Sequence, residues 1–367
     1  MGCNATGWDS ASPEVRHVVL FTFRRHGSSL TTARLAEAMH GAALPLFELF
    51  NLWPFATLNF YSSDIFTKIK MLVARELVAP RIGAFCSHES PLCAAGGAFS
   101  SDVRLALASD KIGDVMHGLK TISTTPLGLG RCIQDDWSGT LRLAQRAAIT
   151  TRHRWLVFKL MKGPNPPHNP DGLVRSVAAD PRAVVVRLRR NFFHAYVSEI
   201  KIETPDCGSG HSATEMHGPA CVPPVNLTHF ARAFTEQVRQ SEAWAQAVGG
   251  SWPEVAKPWR ATDGRAALIS LWYEELEHMD SATMLSVLRQ RLEAAVGDPA
   301  VLGCPGTMSV KMAGRTYDRQ DKASNLRDKV SNYEELARYY KAERPKLCAS
   351  TGVPTCGRDP EFDMPRG

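Results

Sequence analysis

Four short apolar runs, each separated from the next by segments with helical character, constrain this sequence more than any other feature. They are HVVLFTF (17–23), WLVFKLM (155–161), AVVVRLR (183–189) and AALISLWY (266–273). Runs of this length, rich in β-branched and aromatic residues, are typical of strands that are buried on both faces. Strands that alternate with helices form parallel sheets, because a parallel connection needs a crossover segment. The sequence therefore predicts an α/β fold with a mostly parallel sheet covered on both faces.

The spacing of the four runs predicts how the domain is organised. About 130 residues separate the first two runs, which is more than one crossover needs. We therefore expect a single domain at 15–345 that carries two insertions. One, at about 62–150, is expected to be mainly helical, and the other, at about 204–262, is rich in Gly, Pro and Trp. The two ends, 1–14 and 346–367, are expected to be flexible.

Charge and hydropathy narrow the range of partners. The formal net charge of +6 is spread along the chain without a dense Lys/Arg run, so we expect no nucleic-acid partner. A mild positive charge instead suits an anionic ligand. No uninterrupted apolar stretch is long enough for a membrane span, since Pro45 and Pro54 interrupt the nearest one, 41–60.

The N-terminus and the cysteines bear on the compartment. MGCNAT matches the pattern for myristoylation of Gly2, with Cys3 available for palmitate. So short a match often arises by chance, so an unmodified start is the expectation and lipidation the alternative. Three cysteine pairs lie close together in the sequence, and local disulfides between them would indicate an oxidising compartment: Cys86 with Cys93, Cys207 with Cys221, and Cys348 with Cys356. Because no secretory signal precedes the first strand, a cytoplasmic location is predicted, and membrane association would follow only if Gly2 and Cys3 are lipidated. The Golgi lumen is the alternative.

The turn after the first run, in FTFRRHGSSLTTARL (21–35), has the composition of an anion site. A strand that ends at a Gly-Ser-Ser turn and continues into a helix directs several backbone N–H groups and the helix dipole at one point. The turn is not a Walker A loop, because GxxxxGK[ST] is absent, and an ordinary polar turn is the alternative. Hydroxyl and cationic side chains favour the anion site: Ser28, Ser29, Thr31, Thr32, Arg24 and Arg25.

The same turn contains Arg25-His26-Gly27, which resembles the nucleophile signature of histidine phosphatases. In that interpretation His26 carries the phosphoryl group, and a second histidine, His117 or His217, assists it. The pattern is incomplete, because Ser29 stands where the acid-phosphatase branch has an arginine.

The third run leads into a second group of cationic residues. In VVVRLRRNFFHAYVSEIKI, Arg190 stands at the end of the strand, and Ser198 follows eight residues later, two turns into the next helix. An arginine at a strand end with a hydroxyl on the following helix suits a phosphate group. Taken alone, this arrangement is only moderately specific, and a solvated serine on a helix face is the alternative interpretation.

These motifs together resemble the sulfotransferases that use 3′-phosphoadenosine 5′-phosphosulfate (PAPS), most of all the carbohydrate, Golgi-type and bacterial branches. Such enzymes place an arginine at a strand end and a serine eight residues later, as Arg190 and Ser198 stand in this chain. LWYEEL (271–276) and the basic segment 310–336 are similar to later motifs of the family, in the same order. The resemblance implies a P-loop-like, three-layer α/β/α fold, and it makes sulfuryl transfer the expected function.

The resemblance also implies roles for particular residues. Arg25 takes the position of the catalytic cation, and the turn around it holds the 5′-phosphosulfate. Arg190 and Ser198 hold the 3′-phosphate, whereas His26 falls at a position that varies in the family. The implied nucleotide-binding residues are Arg24, Arg25, His26, Gly27, Ser28, Ser29, Leu30, Arg190, Ser198, Lys311 and Arg315.

The acceptor, a hydroxyl or amine on a carbohydrate or small molecule, needs a base. Several branches of the family use a glutamate in the segment after the first helix, so the resemblance implies that Glu48 in PLFELFN is the base. Its apolar flanks would raise its pKa towards neutral if it is buried, and a glutamate on a helix surface is the alternative. His153 and His168 are the alternatives. Tryptophans of the second insertion are candidates to stack on the acceptor: Trp244, Trp252 and Trp259.

Two further functions compete with sulfuryl transfer. One is a histidine phosphatase that uses His26, and the other is a nucleotide-binding scaffold without catalysis. A metal is not required by the transfer chemistry. Four metal-ligating side chains do occur at a spacing that matches no common zinc module, so a disulfide or free thiols are expected there instead: Cys207, His211, His217 and Cys221.

Overall fold

The structure is a computed structural model of the 367-residue chain. The residues it describes are 15–23, 26–47, 93–94, 98–99, 137–150, 152–162, 171–204, 222–247, 266–303, 325–354 and 356–365, with isolated positions at 105, 106, 109, 111, 114 and 117.

Five parallel strands form the central sheet of the described domain. The described strands, which include two outside this sheet, are in chain order β1 (Arg16–Phe23), β2 (Ala43–Phe47), β3 (Cys93–Ala94), β4 (Ala98–Phe99), β5 (Trp155–Lys162), β6 (Ala183–Arg189) and β7 (Ala267–Trp272). The sheet has the order β2-β5-β1-β6-β7, and every neighbouring pair in it is parallel. β3 and β4 form a separate antiparallel pair.

Helices follow most of the sheet strands. They are α1 (Ser28–Ala38), α2 (Trp137–Thr150), α3 (Asp171–Ala178), α4 (Phe192–Glu203), α5 (Leu227–Ala247), α6 (Tyr273–Glu277), α7 (Ser281–Val296) and α8 (Tyr333–Thr351). Short 3₁₀ turns occur at Pro299–Leu302, Leu326–Lys329, Cys356–Arg358 and Pro360–Phe362. None of these helices is both long enough and apolar enough to cross a lipid bilayer.

These helices cover both faces of the sheet. On one face, α1 and α7 share an apolar core with β1, β5, β6 and β7. Every second residue of β1 points to the other face of the sheet, and on that face Phe21 and Phe23 pack against Trp244 of α5. His17, on the same face, hydrogen-bonds Gln145 of α2 at 3.2 Å. The predicted α/β class with a mostly parallel sheet is therefore confirmed.

The edge strand β2 is an element that the sequence did not indicate. Its sequence, ALPLF, is short and contains Pro45, which lacks the N–H that a central strand would need. An edge strand tolerates proline, and β2 pairs only with β5 among the strands that the structure describes, with a register shift between Pro45 and Phe47. Along the chain, β2 therefore lies between the first two predicted strands, β1 and β5, which are direct neighbours in the sheet.

The described parts of the two expected insertions contain helix and a little strand. α2 ends at Thr150, within the range predicted to be helical, and β3 and β4 lie earlier in that range. In the second range, α5 runs for 21 residues from Leu227 to Ala247. This helix belongs to the layer that covers the sheet, because Trp244 packs on β1.

A second apolar cluster joins α4, α5 and α8 to residues 356–365, which follow α8 and are called the C-terminal segment below. Its aromatic rings meet mostly edge to face or tilted, the arrangement that the ring quadrupoles favour, and Phe192 alone contacts five other rings. The principal members are Phe192, Phe193, Tyr196, Phe230, Phe234, Tyr340 and Phe362.

A buried ionic cluster attaches the C-terminal segment to β6. Arg187 Nη2 and Arg189 Nε each donate to Glu361 Oε2 at 3.2 Å, and Arg189 also pairs with Asp359. All four side chains are at most 5% exposed. Burial lowers the pKa of the Arg187 guanidinium to about 9 and raises the pKa of the Asp359 carboxyl. Charges this far from water need close counter-charges, so the two carboxylates are required where they lie.

The C-terminal segment is accordingly packed where the sequence suggested a flexible end. Cys348 near the end of α8 forms a disulfide with Cys356, which closes the turn between the helix and the ionic cluster. Arg344 donates to Asp363 Oδ1 at 2.6 Å, and the Tyr340 hydroxyl donates to the carbonyl of Phe362. The spacing of Cys348 and Cys356 was a signal for the disulfide, but local composition gives none for the ion pairs with β6, which lies far along the chain.

Replacing Glu361 with glutamine should strongly destabilise the fold. The change leaves Arg187 and Arg189 buried beside a single carboxylate, and breaking a buried pair costs about 3–5 kcal/mol in the free energy of unfolding. Equilibrium unfolding in urea measures the loss. The matched control is Glu343→Gln, since Glu343 pairs with Lys346 at the surface and such a pair contributes less than about 1 kcal/mol. Similar small losses in both variants would contradict the role of the cluster.

Candidate functional site

The carboxyl ends of β5, β1 and β6 bring the candidate site together. β1 lies between the other two strands, and its connection through α1 leads to β2 on one side of the sheet. The chain after β6 leads to β7 on the opposite side. Neighbouring strands whose connections diverge in this way leave a crevice between their carboxyl ends, and ligands of open α/β sheets bind in such crevices.

The turn after β1 has the geometry of an anion site. Gly27 is the N-cap of α1 and has a left-handed backbone conformation, with φ of +73°. Ser28 and Ser29 open the helix, so the N–H groups of its first turn, which have no acceptor within the helix, lie at this turn. Two other predicted donors face the helix instead, because Thr31 Oγ1 donates to the Gly27 carbonyl and Thr32 Oγ1 to the Ser28 carbonyl.

Lys159 of β5 is a cation at this turn that sequence reasoning missed. It pairs in register with Leu20, three residues before the end of β1, and its long side chain extends towards the turn. Its ammonium group donates to Ser29 Oγ at 3.0 Å and to Ser28 Oγ at 3.3 Å. Lys159 is only 4% exposed. A charged residue inside the apolar run WLVFKLM was the available signal, since a lysine is rarely buried without a functional or structural partner.

Arg190 lies on the other side of β1, next to Tyr273. Its guanidinium carbon is 4.5 Å from the centre of the Tyr273 ring. The same ring lies against Gly27: a Cβ atom added there would be 2.0 Å from Tyr273 Cε2. Gly27 is therefore required by contact as well as by its backbone conformation, and the two predicted anion positions share one aromatic neighbour.

The turn from β6 into α4 is fixed by a network around Asn191. The Asn191 side chain caps α4 by accepting from Phe193 N at 3.1 Å, and its amide donates to the carbonyl of Asp363 at 2.7 Å. Its backbone N–H donates to Glu274 Oε1 at 3.0 Å. Burial raises the pKa of Glu274, despite this bond and the nearby charge of Arg190. Ser198, two turns into α4, is half-buried.

His26 is fully buried between the turn and β6. Its Nδ1 lies 3.4 Å from the carbonyl oxygen of Leu188, and its ring packs on Phe23 with centroids 5.6 Å apart. Burial, with a smaller contribution from the charge of Arg190, lowers the pKa of His26 to about 3, so the imidazole is neutral at physiological pH. Its Nε2 has no hydrogen-bond partner among the described residues. These features fit a residue that fixes the turn against β6 better than an exposed nucleophile.

Other predicted site residues lie elsewhere in the described domain. His153, proposed as an alternative base, is buried just before β5 begins. It therefore lies at the amino ends of the strands, whereas the crevice lies at their carboxyl ends. Trp244 is 3% exposed and packs on β1, so it cannot stack on an acceptor. Leu30 packs against the core from the first turn of α1. His117 is exposed.

Several predicted residues fall outside the part of the chain that the structure describes. They include the proposed catalytic cation, the proposed base and the late basic residues: Arg24, Arg25, Glu48, Lys311 and Arg315. The lipidation residues, the Cys/His spacing and the remaining acceptor candidates also lie there: Gly2, Cys3, His168, Cys207, His211, His217, Cys221, Trp252 and Trp259. Their roles stay predictions.

A cavity of about 380 Å³ adjoins the turn after β6. It lies beside Asn191 on the side of the C-terminal segment, so the ionic cluster at Asp359 and Glu361 supports one of its walls. Among the described residues, no group of three or more His, Cys, Asp or Glu side chains is arranged to hold a metal ion. The cavity is lined by Asn191, His194, Trp272, Glu274, Glu275, Pro360 and Pro365.

Comparisons with protein-family models, with curated proteins and with solved structures found no match to this chain. A function therefore has to be argued from the site, because a general α/β architecture supports many unrelated activities. The described site offers a helix N-terminus with Lys159 on one side of β1 and Arg190 on the other. Two cationic positions on either side of one turn suit a ligand with two separate anionic groups.

Gly27→Ala should destabilise the protein more than another glycine with the same backbone conformation would. A left-handed alanine costs about 1–2 kcal/mol, and at Gly27 the added methyl group would also displace the Tyr273 ring. Gly352→Ala is the matched control, because φ there is +70° and nothing lies within 4 Å of the added carbon. Urea unfolding of both variants should give the larger loss for Gly27→Ala. Equal losses would show that the ring is not seated against Gly27.

His26→Phe should flatten the acid dependence of stability. The pKa of histidine is 6.5 in its unperturbed state and about 3 for folded His26, so between these values the unfolded chain binds a proton that the folded chain does not. Stability is therefore lost as the pH falls from 6.5, by about 1.4 kcal/mol per pH unit from this residue. The free energy of unfolding, measured in urea between pH 4 and pH 7, should depend less on pH in the variant than in the wild type. The difference in slope should correspond to about one proton fewer taken up on unfolding.

His17 provides the comparison for that experiment. Burial lowers the pKa of His17 to about 4, so it contributes in the same direction over a narrower range. The slope that remains in His26→Phe is expected to come partly from His17. An unchanged slope in His26→Phe would contradict the burial of a neutral imidazole at position 26.

Proposed function

We propose that the protein transfers a sulfuryl group from PAPS to a hydroxyl or amine acceptor on a carbohydrate or a small molecule. One observation carries the proposal: Lys159 and Arg190 flank the turn after β1 at the carboxyl edge of a parallel sheet. PAPS has a phosphosulfate at the 5′ position and a separate phosphate at the 3′ position. Two cationic positions of this kind support such a donor better than a ligand with one anionic group.

The turn after β1 is the proposed site of the 5′-phosphosulfate. The N-terminus of α1 supplies backbone N–H groups, and Ser28 and Ser29 supply hydroxyls already oriented by Lys159. By resemblance, Arg25 provides the catalytic cation, with Arg24 beside it. Lys159 adds to that proposal a buried positive charge, which acts more strongly away from water than at the surface.

The turn after β6 is the proposed site of the 3′-phosphate. Arg190 is half-buried and oriented by Tyr273, so little side-chain entropy would be lost on binding. Ser198 on α4 is the second residue proposed for this phosphate. Lys311 and Arg315 are proposed to approach the nucleotide from the late basic segment.

The chemistry follows from charge and geometry. The acceptor oxygen or nitrogen attacks sulfur, the bond between sulfur and the bridging phosphate oxygen breaks, and 3′,5′-ADP leaves. Negative charge builds on the leaving phosphate, so fixed cations at the turn stabilise the transition state. The acceptor proton passes to a base, which is proposed to be Glu48. The reaction yields a sulfate ester or sulfamate, and it requires no metal.

The finer fold assignment, a P-loop-like three-layer architecture, is part of the proposal. The unit β1–Gly27–α1, in which a glycine turn joins a central strand to a helix N-terminus, supports it. The diverging connections from β1 and β6 support a nucleotide at this crevice.

Burial weighs against the phosphatase alternative. A nucleophilic His26 would have to meet a phosphate ester in solution, yet the imidazole is fully buried and packed on Phe23. A scaffold that binds the nucleotide without catalysis shares the same pocket, and only turnover separates it from an enzyme.

The Cys348–Cys356 disulfide bears on the compartment. Disulfides persist mainly in oxidising compartments, and this one closes the turn that leads into the ionic cluster. It supports the Golgi lumen over the cytoplasm as the site of action. Lipidation at Gly2 and Cys3 would instead favour a cytoplasmic membrane surface.

Calorimetric titration should show that the protein binds 3′,5′-ADP more tightly than 5′-AMP by about 10- to 100-fold, the contribution expected of charge-assisted hydrogen bonds to one extra phosphate. Arg190→Ala and Ser198→Ala should reduce that preference. Lys159→Met should weaken both nucleotides together, because Lys159 serves the position that they share. Lys346→Met is the matched control, since Lys346 lies at the surface of α8.

Equal affinity for the two nucleotides would overturn the proposed donor. Acceptor-dependent release of 3′,5′-ADP from PAPS is expected of the enzyme, whereas binding without release from any acceptor would identify a scaffold. Phosphatase activity abolished by His26→Ala, and retained in Arg190→Ala, would support the phosphatase instead.

A further inference from the structure

Tyr273 lies against residues of both proposed phosphate positions. It is the first residue of α6, directly after β7, two strands away from β1. The edge of its ring lies so close to Gly27 that a Cβ atom there would be 2.0 Å from Cε2 and 2.3 Å from Cδ2. The guanidinium carbon of Arg190 lies 4.5 Å from the ring centre. One ring therefore contacts both turns.

Contact with an aromatic face restricts an arginine in a way that charge alone does not. A guanidinium group stacked on an aromatic ring keeps both its direction and its plane, because the planar cation follows the ring. The ring can lie against the turn after β1 because Gly27 has no side chain. The ring therefore connects the turn after β1 to the guanidinium of Arg190 by direct contact.

The neighbouring residue holds the backbone of the same turn. Glu274 Oε1 accepts from the N–H of Asn191 at 3.0 Å, directly after Arg190. Two consecutive residues of α6 thus hold the Arg190 side chain and the peptide that follows it. Arg190 is therefore restrained both at its side chain and at the peptide that follows it.

We propose that Tyr273 is a positioning residue that sets the spacing between the two anion positions, and that this spacing selects nucleotides phosphorylated at both the 3′ and 5′ positions. The inference rests on the proposed function, because it takes both positions as sites for phosphates of one ligand. Tyr273 acts on recognition through Arg190. Selectivity arises because a correctly oriented Arg190 reaches the 3′-phosphate only when the 5′ group occupies the turn after β1.

The test compares Tyr273→Leu with Tyr273→Phe by calorimetric titration of 3′,5′-ADP and 5′-AMP. Leucine keeps apolar volume but removes the aromatic face, so the affinity for 3′,5′-ADP should fall by about 5- to 30-fold, the range expected for a lost cation–π contact. The affinity for 5′-AMP should change by less than about 3-fold, because the turn after β1 keeps its own bonds. Phenylalanine keeps the aromatic face and should restore the preference.

A double-mutant cycle separates this role from a general effect on structure. In an Arg190→Ala background, Tyr273→Leu should cause little further loss of affinity for 3′,5′-ADP, since the residue acts through Arg190. Steady-state kinetics with PAPS should show the Tyr273→Leu effect mainly in KM. A loss of the same size in both backgrounds would overturn the inference.

Each remaining outcome has a defined meaning. If the wild-type protein does not prefer 3′,5′-ADP over 5′-AMP, the proposed function fails before the role of Tyr273 is reached. If the wild-type preference exists and Tyr273→Leu keeps it, or weakens both nucleotides equally, the inference about Tyr273 is wrong. Should Tyr273→Leu fail to fold, Arg190→Lys replaces it, since lysine keeps the charge but cannot stack as a plane. An unchanged preference in Arg190→Lys would likewise overturn the inference.

Discussion

Parallel pairing of β1 with β5 on one side and β6 on the other is the constraint on which the rest of the site depends. The register sets Leu20 beside Lys159, and it sets Phe21 beside Arg187, three residues before Arg190. Because parallel strands end at the same edge, cations from both neighbours lie next to the turn that follows β1. A shift of one residue in either pairing would turn these side chains to the opposite face of the sheet.

The three arginines of RLRR (187–190) have two different roles, because successive residues of a strand face opposite sides of the sheet. Arg187 and Arg189 face the layer that contains the C-terminal segment, where Asp359 and Glu361 neutralise them. Arg190, one residue beyond the strand, contacts Tyr273 on the other side. Arg189 also stacks on Trp272, so the consecutive aromatic residues Trp272 and Tyr273 each hold one of two consecutive arginines. The C-terminal segment thus stabilises the strand end from which the proposed phosphate-binding residue projects.

Sequence patterns predicted four of the five strands of the sheet to within one residue at each end, because strands buried on both faces need unbroken apolar residues. Among residues of the candidate site, they identified Gly27, Ser28, Ser29 and Arg190. They missed β2, since an edge strand with a proline carries a weak pattern. They missed Lys159 as a site residue because an apolar run was read only as core. They gave Thr31 and Thr32 to the anion site, although both hydroxyls bond within α1.

The sequence by itself determined the α/β class, the position of the turn after β1 and the need for a glycine there, because these depend on local pattern and backbone conformation. Only the tertiary structure decided which distant side chains meet at that turn. Lys159, Arg190 and Tyr273 come from three strands or strand ends, and their meeting depends on strand order and register, which no local pattern encodes. The same holds for His26, whose burial depends on the approach of β6 to the turn. The local sequence therefore determines the turn after β1, whereas the packing of the strands determines which side chains surround that turn and form the candidate site.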